Sequence, residues 1–257
     1  MRDNAFNEVP MTGAFASEVT AALLVIGDEI LSGRTKDKNI GTIADHCTEN
    51  GIRLKEVRVV ADEEAAIVAA VDALRTAYDY VFTTGGIGPT HDDITADAIA
   101  KAFGVALPID ERARALLLER IPEGEMTPAR LRMARIPVGA DLIENTVSKA
   151  PGFMIGNVIV MAGVPSIMQA MLKAVTPRLR TGAKMLSVSV RVDRPEGAVA
   201  APLEACQRAF PDVPMGSYPF MDEGRYGTTL VLRSVDEARL AAAKADLEAR
   251  LAAVFGG

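Results

Sequence analysis

An apolar run of strand character, Tyr78–Phe82, gives way to Thr83-Thr84-Gly85-Gly86-Ile87-Gly88-Pro89-Thr90-His91-Asp92-Asp93-Ile94-Thr95. A helical pattern, Ala96–Phe103, follows directly and is closed by Gly104. A strand that ends in glycines and reopens as a helix presents unpaired backbone N–H groups beside the positive end of a helix dipole. That arrangement binds phosphate or carboxylate. The glycines let the backbone approach an anion, and Pro89 stiffens the turn. Such turns also occur without a ligand, and an Asp at a helix start commonly serves as an N-cap. Two adjacent aspartates exceed what capping requires. The segment lacks the Gly-Lys-Ser/Thr ending of a P-loop and the glycine spacing of a dinucleotide fold. Anion cradle plus carboxylates reads as phosphate-ester chemistry.

The flanking sequence alternates strands and helices. Ala21–Ile26 is a continuous apolar run suited to a strand buried on both faces. Lys38–Asn50 carries Ile40, Ile43, Ala44 and Cys47 at three- and four-residue spacings, with Gly51 as its stop. Ile52–Val60 reads as the next strand, and Asp62 is placed to cap a helix from Glu63 to Tyr78. This βαβαβ rhythm predicts an α/β domain, a three-layer α/β/α arrangement around a mostly parallel sheet. Sheets of that kind bind ligands at the carboxyl ends of their strands. Asp28 follows the first strand, Asp62 the second and Asp93 the third, so all three are expected at one edge. Clustered carboxylates repel unless a proton or cation sits between them, which makes Mg²⁺ or another divalent cation a natural guest.

Beyond this core, Asp110–Arg120 is helical and Thr127-Pro128 opens a short helix that ends near Ile136-Pro137. Arg130, Arg132 and Arg135 recur along it, as a solvated face or as a basic rim turned toward phosphate. Asn157–Met161 reads as a strand, and Ser166–Leu179 as a helix with Met168 and Met171 among its core residues. Thr181-Gly182 marks a boundary, after which a compact β-α-β-β-α pattern predicts a small α+β subdomain over 182–257. The domain plan is therefore a mobile N-terminal tail over 1–18, the α/β domain over 19–181, and that C-terminal subdomain.

A net charge of −6 argues against an extended nucleic-acid surface, which needs a basic excess. Two cysteines, Cys47 and Cys206, make no disulfide framework and sit at apolar helical spacing. His46 and His91 share no Cys/His cluster, which argues against zinc. No stretch approaches the roughly 20 apolar residues of a membrane span, and residues 1–17 carry no signal-peptide core. The expected location is the cytoplasm.

Thr-Thr-Gly-Gly-x-Gly-Pro-Thr-x-Asp-Asp-x-Thr resembles the signature of the molybdopterin-binding (MoaB/Mog-like) family. The resemblance is nearest to the N-terminal domain of the competence/damage-inducible protein A branch and to the molybdopterin-binding domain of FAD synthases. Other segments follow in the family's order: Gly27-Asp28-Glu29, Asn39, Val60-Ala61-Asp62, Glu144-Asn145, Ala150-Pro151-Gly152 and Gly163-Val164-Pro165-Ser166. Together they span roughly residues 20 to 180. The resemblance implies that Asp62 and Asp93 are the essential acidic pair, with Asp28, Asp62 and Asp93 toward a metal. It also implies that Gly85, Gly86 and Gly88 cradle a phosphate, with Thr84, Pro89 and Thr90 beside them. Gly27, Glu29 and Asn39 belong to the same ligand set. Asn145, Pro151 and Gly152 form a second ligand loop, and Gly163, Val164, Pro165 and Ser166 another phosphate-side loop. Here Ala162 stands where relatives commonly have Pro, and Ile167 where the competence branch commonly has Glu, which weakens any metal role for that last loop.

The implied function is molybdopterin binding related to molybdenum cofactor biosynthesis, in which family enzymes activate the pterin by Mg²⁺-dependent adenylyl transfer. A second reading is a metal-dependent nucleotide pyrophosphatase acting on ADP-ribose or FAD. A third is a non-catalytic pterin or nucleotide sensor. The expected partner is a small pterin or nucleotide rather than nucleic acid or membrane, and the expected assembly is a homo-oligomer, dimer or trimer.

Overall fold

The computed structural model describes residues 18–222 and 224–256. The expected tail therefore lies, except for Glu18, outside the described residues. The chain forms two compact units. The first holds the described residues up to Lys36 together with Lys55–Gly182, and the second joins Asp37–Leu54 to Ala183–Gly257.

The first unit is built on a six-stranded sheet. Its strands are β1 (Val19–Ile26), β2 (Ile52–Val60), β3 (Tyr80–Thr84), β4 (Asp141–Ile143), β5 (Gly152–Ile155) and β6 (Val158–Met161). They lie in the order β2-β1-β3-β6-β5-β4. The helices are α1 (Asp28–Leu31), α2 (Asn39–Glu49, assigned to the second unit), α3 (Glu64–Ala77), α4 (Thr95–Phe103), α5 (Glu111–Leu118), α6 (Pro128–Arg132) and α7 (Pro165–Val175). Every residue of β1 except Thr20 is buried, as a strand covered on both faces requires. Ala22, Leu24 and Ile26 pack in one cluster with Ile67, Val71 and Leu74 of α3 and with Ala98 and Ile99 of α4. Leu23, Val25 and Phe82 are buried outside that cluster, on the alternate face that period-two geometry gives them. The α7 helix packs against β6 and β4.

Pairing is parallel at the centre, β1 with β3 and β3 with β6, and antiparallel at the margin, β6 with β5 and β5 with β4. The antiparallel margin departs from the expectation that Asn145, Pro151 and Gly152 form a ligand loop. Gly152 is instead a strand residue paired with Ile143, and a Cβ there would meet the Val160 carbonyl at 2.4 Å. The parallel centre sets the site. The carboxyl ends of β1, β3 and β6 fall on one edge, where Gly27 N–H reaches the Val60 carbonyl and Gly85 N–H the Met161 carbonyl.

One helix start and one helix end also differ from expectation. Asp62 does not cap α3, whose N-cap is Glu63 with no side-chain bond, because the Asp62 carboxylate is turned to the Asp28 N–H. Short α6 ends at Arg132, with Thr127 accepting at its start. No helix among the described residues is long and apolar enough to cross a membrane.

In the second unit, β7 (Leu186–Val192), α8 (Glu196–Ala209), β8 (Met215–Asp222), β9 (Arg225–Ser234) and α9 (Glu237–Phe255) follow the expected β-α-β-β-α order. The antiparallel sheet runs β7-β9-β8. Val188 and Val190 pack with Leu230, Leu232, Val199, Cys206 and Leu247 in a single small core. The Asp236 side chain caps α9 through the Arg239 N–H.

Candidate functional site

The glycine loop is held by its own residues. Gly85 and Gly86 adopt φ of +105° and +66°, a region that favours glycine. A Cβ at Gly85 would lie 2.1 Å from the Ile26 carbonyl oxygen, and one at Gly86 2.2 Å from Thr95 Oγ1. The buried Thr95 hydroxyl donates to the Gly85 carbonyl at 2.9 Å, and the Thr95 N–H to the Gly86 carbonyl at 3.0 Å. At the tip, the Thr90 N–H and hydroxyl both donate to Asp93 Oδ2, so this carboxylate braces the loop from within. A Cβ at Gly88 would strike that carboxylate at 2.6 Å. Glycine is thus required here first by the chain's own close packing. Among the described residues, the N–H groups of Gly86, Ile87 and Gly88 have no protein acceptor.

Gly86, Ile87 and Gly88 line an open cavity of about 590 Å³. Of the residues singled out in the sequence, Glu29, Gly85, Gly86, Gly88, Pro89, Asp93, Asn145, Gly163, Val164 and Pro165 line it. Pro151 lines a smaller cleft that shares Gly86, Ile87, Gly88 and Asp93 with the cavity. Gly27, Asp28, Asp62, Thr84, Thr90, Gly152 and Ser166 are not among the lining residues of either. Thr84 is buried, and among the described residues its hydroxyl has no partner. Asn39 belongs to the second unit, where Asp37 Oδ1 accepts from its N–H and from that of Ile40. Buried Asn145 folds its own loop: its amide donates to Ser148 Oγ and the Ala150 carbonyl, and its oxygen accepts from Val147 and Ser148.

The cavity wall is largely apolar. Ile87, Met133, Val164, Ile167 and Met171 contribute to it. Met133 was not singled out in the sequence, and Met171 was read only as core. Nothing in their periodicity separates a cavity-lining methionine from a packed one. Beside the glycine loop, where a Cβ at Gly163 would meet Gly85 Cα at 3.3 Å, α7 begins at Pro165 with no side-chain cap, and Gly163, Val164 and Pro165 line the cavity.

The acidic residues divide into two groups. Asp28 and Asp62 bond reciprocally: the Asp28 N–H donates to Asp62 Oδ2 at 2.9 Å, and the Asp62 N–H to Asp28 Oδ1 at 3.4 Å. Partial burial raises the Asp62 carboxyl above its ordinary range, and the charges of Asp28, Glu29 and Asp92 push the same way, against the bond from Asp28. Asp93 is engaged with Thr90 instead. Among the described residues no three His, Cys, Asp or Glu side chains form a metal-holding group. A preformed cage for a metal is therefore absent from them. Asp28 and Asp62, which bond to each other's main-chain N–H, are the adjacent carboxylates that could take part in holding a divalent cation.

The arginines in and just after α6 behave differently from one another. Arg130 pairs with Glu125, while Arg135 makes a bidentate pair with Asp97 at 2.8 and 2.6 Å. Arg132 donates to the Asp93 carbonyl at 3.2 Å. Arg132 and Arg135 both line the small cleft, together with Gly86, Ile87 and Gly88 of the glycine loop.

Residues 22–181 match the family described as a probable molybdopterin binding domain, and residues 184–255 match the middle domain of FAD synthase. A Thermoplasma acidophilum protein, Ta0487, is 39% identical over 158 residues, covering 60% of this chain and 62% of that protein. A CinA-like protein of Citrifermentans bemidjiense is 40% identical over 166 residues, 62% of this chain and 40% of that one. The chain thus spans less than two thirds of either relative. The crystal structure of CinA from Thermoplasma acidophilum, a protein described as of unknown function, aligns with a TM-score of 0.60. That alignment has 38% identity and covers 63% of this chain and 99% of the other.

Proposed function

This chain belongs to the probable molybdopterin binding domain family, and we propose on that premise that it binds a phosphate-bearing pterin or nucleotide in the glycine-loop cavity. One observation carries the reading. Gly86, Ile87 and Gly88, whose N–H groups have no acceptor among the described residues, line a cavity of about 590 Å³ whose remaining wall is mostly apolar. Backbone N–H groups recognise phosphate without regard to sequence, and an apolar wall accepts the face of a fused ring. Molybdopterin offers both parts, which ties the chain to molybdenum cofactor biosynthesis. In this reading Asp62 and Asp93 are the acidic pair. Mg²⁺, held through Asp62 and the ligand's phosphate, would neutralise charge at phosphorus. The chain's own residues orient the phosphate through the loop and keep the ring against Met133, Ile167 and Met171.

A second reading, a metal-dependent pyrophosphatase acting on ADP-ribose or FAD, is favoured by the FAD synthase match over residues 184–255 and by the CinA-like relative. A thermal-shift panel of molybdopterin, ATP, ADP-ribose and FAD, with and without Mg²⁺, separates the two. Stabilisation by molybdopterin above the nucleotides supports the first reading. Stabilisation by ADP-ribose or FAD, with phosphate-bond cleavage on adding Mg²⁺, supports the second. Stabilisation without turnover of molybdopterin plus ATP, ADP-ribose or FAD identifies a sensor. If none of the four raises the melting temperature, the cavity is not a binding site for this class.

A further inference from the structure

We infer that Arg132 is the residue that selects for negative charge in this cavity, serving as counter-ion to the ligand's phosphate; the inference rests on the binding reading above. Three arginines line up in the α6 segment, and the structure separates them. Arg130 is neutralised by Glu125 and Arg135 by the bidentate contact with Asp97. Arg132 is half-buried, and among the described residues it pairs with no carboxylate; its Nη2 donates to the Asp93 main-chain carbonyl, and its Nε is buried without an acceptor. A guanidinium withdrawn from water with one neutral acceptor keeps most of its hydrogen-bonding capacity unused.

Its position gives that capacity a use. Among the described residues the large cavity is lined by two carboxylates, Glu29 and Asp93, and by no Lys or Arg. Left alone, such a wall repels a phosphate, whatever the backbone N–H groups offer. The small cleft adjoins it through Gly86, Ile87, Gly88, Asp93 and Met133, and Arg132 lines that cleft with only Arg135 as a second cation. Because Asp97 already compensates Arg135, Arg132 supplies the positive charge that lets an anion rest on the loop. A guanidinium is suited to two oxygens of one phosphate, which a Lys ammonium meets only as a point charge. The bond to the Asp93 carbonyl fixes the guanidinium against the loop that would hold the phosphate.

The test uses inorganic pyrophosphate as the probe, with calorimetric titration of the full chain and amide spectra of Gly86–Gly88 to locate binding. Arg132→Gln is expected to weaken binding roughly 10- to 100-fold, the range for one hydrogen bond to a charged group. Arg132→Lys should recover part of that loss. Arg130→Gln, which removes an arginine paired outside the cleft, should bind as the unsubstituted chain does. The pyrophosphate affinity of Arg132→Gln should also fall less steeply with added salt, a readout that a purely structural role does not move. If pyrophosphate shifts Gly86–Gly88 equally in both chains and Arg132→Gln binds within about threefold, the inference is overturned and the binding reading stands. If the unsubstituted chain shows no binding, the binding reading itself fails and this inference fails with it. If Arg132→Gln loses affinity but already displaces the Gly85–Thr90 amides without ligand, and Lys restores nothing, Arg132 is only a brace for the loop and the inference is wrong.

Discussion

Replacing Gly86 by Ala tests whether the glycine loop is fixed by its packing against α4. Gly86 has φ of +66°, and a Cβ there would stand 2.2 Å from Thr95 Oγ1 and 3.3 Å from Thr95 Cβ. Left-handed backbone costs a non-glycine residue about 1 kcal/mol. The contact is far shorter than any real Cβ tolerates, so the fully buried Thr95 side chain must rotate. Rotation breaks its 2.9 Å bond to the Gly85 carbonyl, and an abandoned buried acceptor costs about 1–3 kcal/mol. The loop cannot simply swing away, because the Gly86 carbonyl is itself held by the Thr95 N–H. The expected loss is therefore about 2–4 kcal/mol, read from urea unfolding. Thr95→Ala alone loses the hydroxyl bond and its packing. Added to that background, Gly86→Ala should cost only the left-handed term, about 1 kcal/mol. The double-mutant cycle should thus show a coupling of about 1–3 kcal/mol between the two sites. Gly85→Ala supplies the contrast, since its Cβ meets the Ile26 main-chain oxygen at 2.1 Å and no side-chain truncation can make room. Additive losses for Gly86→Ala and Thr95→Ala, within about 0.5 kcal/mol, would refute the packing argument.

Thr84→Val should stabilise the chain by about 1 kcal/mol, because it removes a buried hydroxyl without a partner; a lower melting temperature, or a loss of pyrophosphate affinity, would show that this hydroxyl takes part in the site. Asp62 has its carboxyl raised by burial and by neighbouring acids, so the folded state holds its proton to higher pH than the unfolded chain. Ionised Asp62 therefore subtracts stability above the folded value, and that penalty fades as pH falls toward the ordinary value of 3.8. Asp62→Asn should remove this segment of the pH–stability curve while changing neutral-pH stability little or upward; an unchanged curve would contradict the assignment. A chain ending at Gly182 should keep pyrophosphate binding, because every residue lining the cavity lies in the first unit. Affinity lost from a truncated chain with native-like circular dichroism would show that residues 183–257 are needed for binding.

The fold was legible wherever a segment's own periodicity decided its place. Ala21–Ile26 reads as a doubly buried strand because it has no polar side, and β7 alternates half-buried and exposed residues along its whole length. Asp236, too, caps the helix that follows it, as its position suggests. The failures share one cause, a partner that the segment's own periodicity does not record. The three- and four-residue strands β4 and β5 are too short to show a period, and they exist because each pairs with a neighbour. Asp62 has the sequence context of a cap, yet a main-chain N–H 34 residues away takes its carboxylate. In the site, the signature loop was readable because strand, glycines and helix are contiguous. Which arginine of three lacks a carboxylate was not, since Glu125 and Asp97 lie on different elements.

The same distinction bears on how the acidic pair would work. Each aspartate already has a structural role, since Asp62 Oδ2 accepts from Asp28 and Asp93 Oδ2 accepts twice from Thr90. Asp93 therefore shapes the loop that presents the Gly86, Ile87 and Gly88 N–H groups, while Asp62 stands with Asp28 beside the end of β1 and outside the cavity lining. A phosphate resting on the loop would meet Asp93 first and be repelled by it, which gives Arg132, bonded to the carbonyl of that same aspartate, its electrostatic purpose. Asp62 has the opposite problem. Its neighbours Asp28, Glu29 and Asp92 already disfavour its charge, so a cation arriving with the ligand relieves repulsion that the unliganded chain carries. Ligand phosphate and cation would then favour each other's binding, without a metal cage prepared in advance. That coupling makes Mg²⁺ informative only when it is titrated in the presence of a phosphate-bearing ligand.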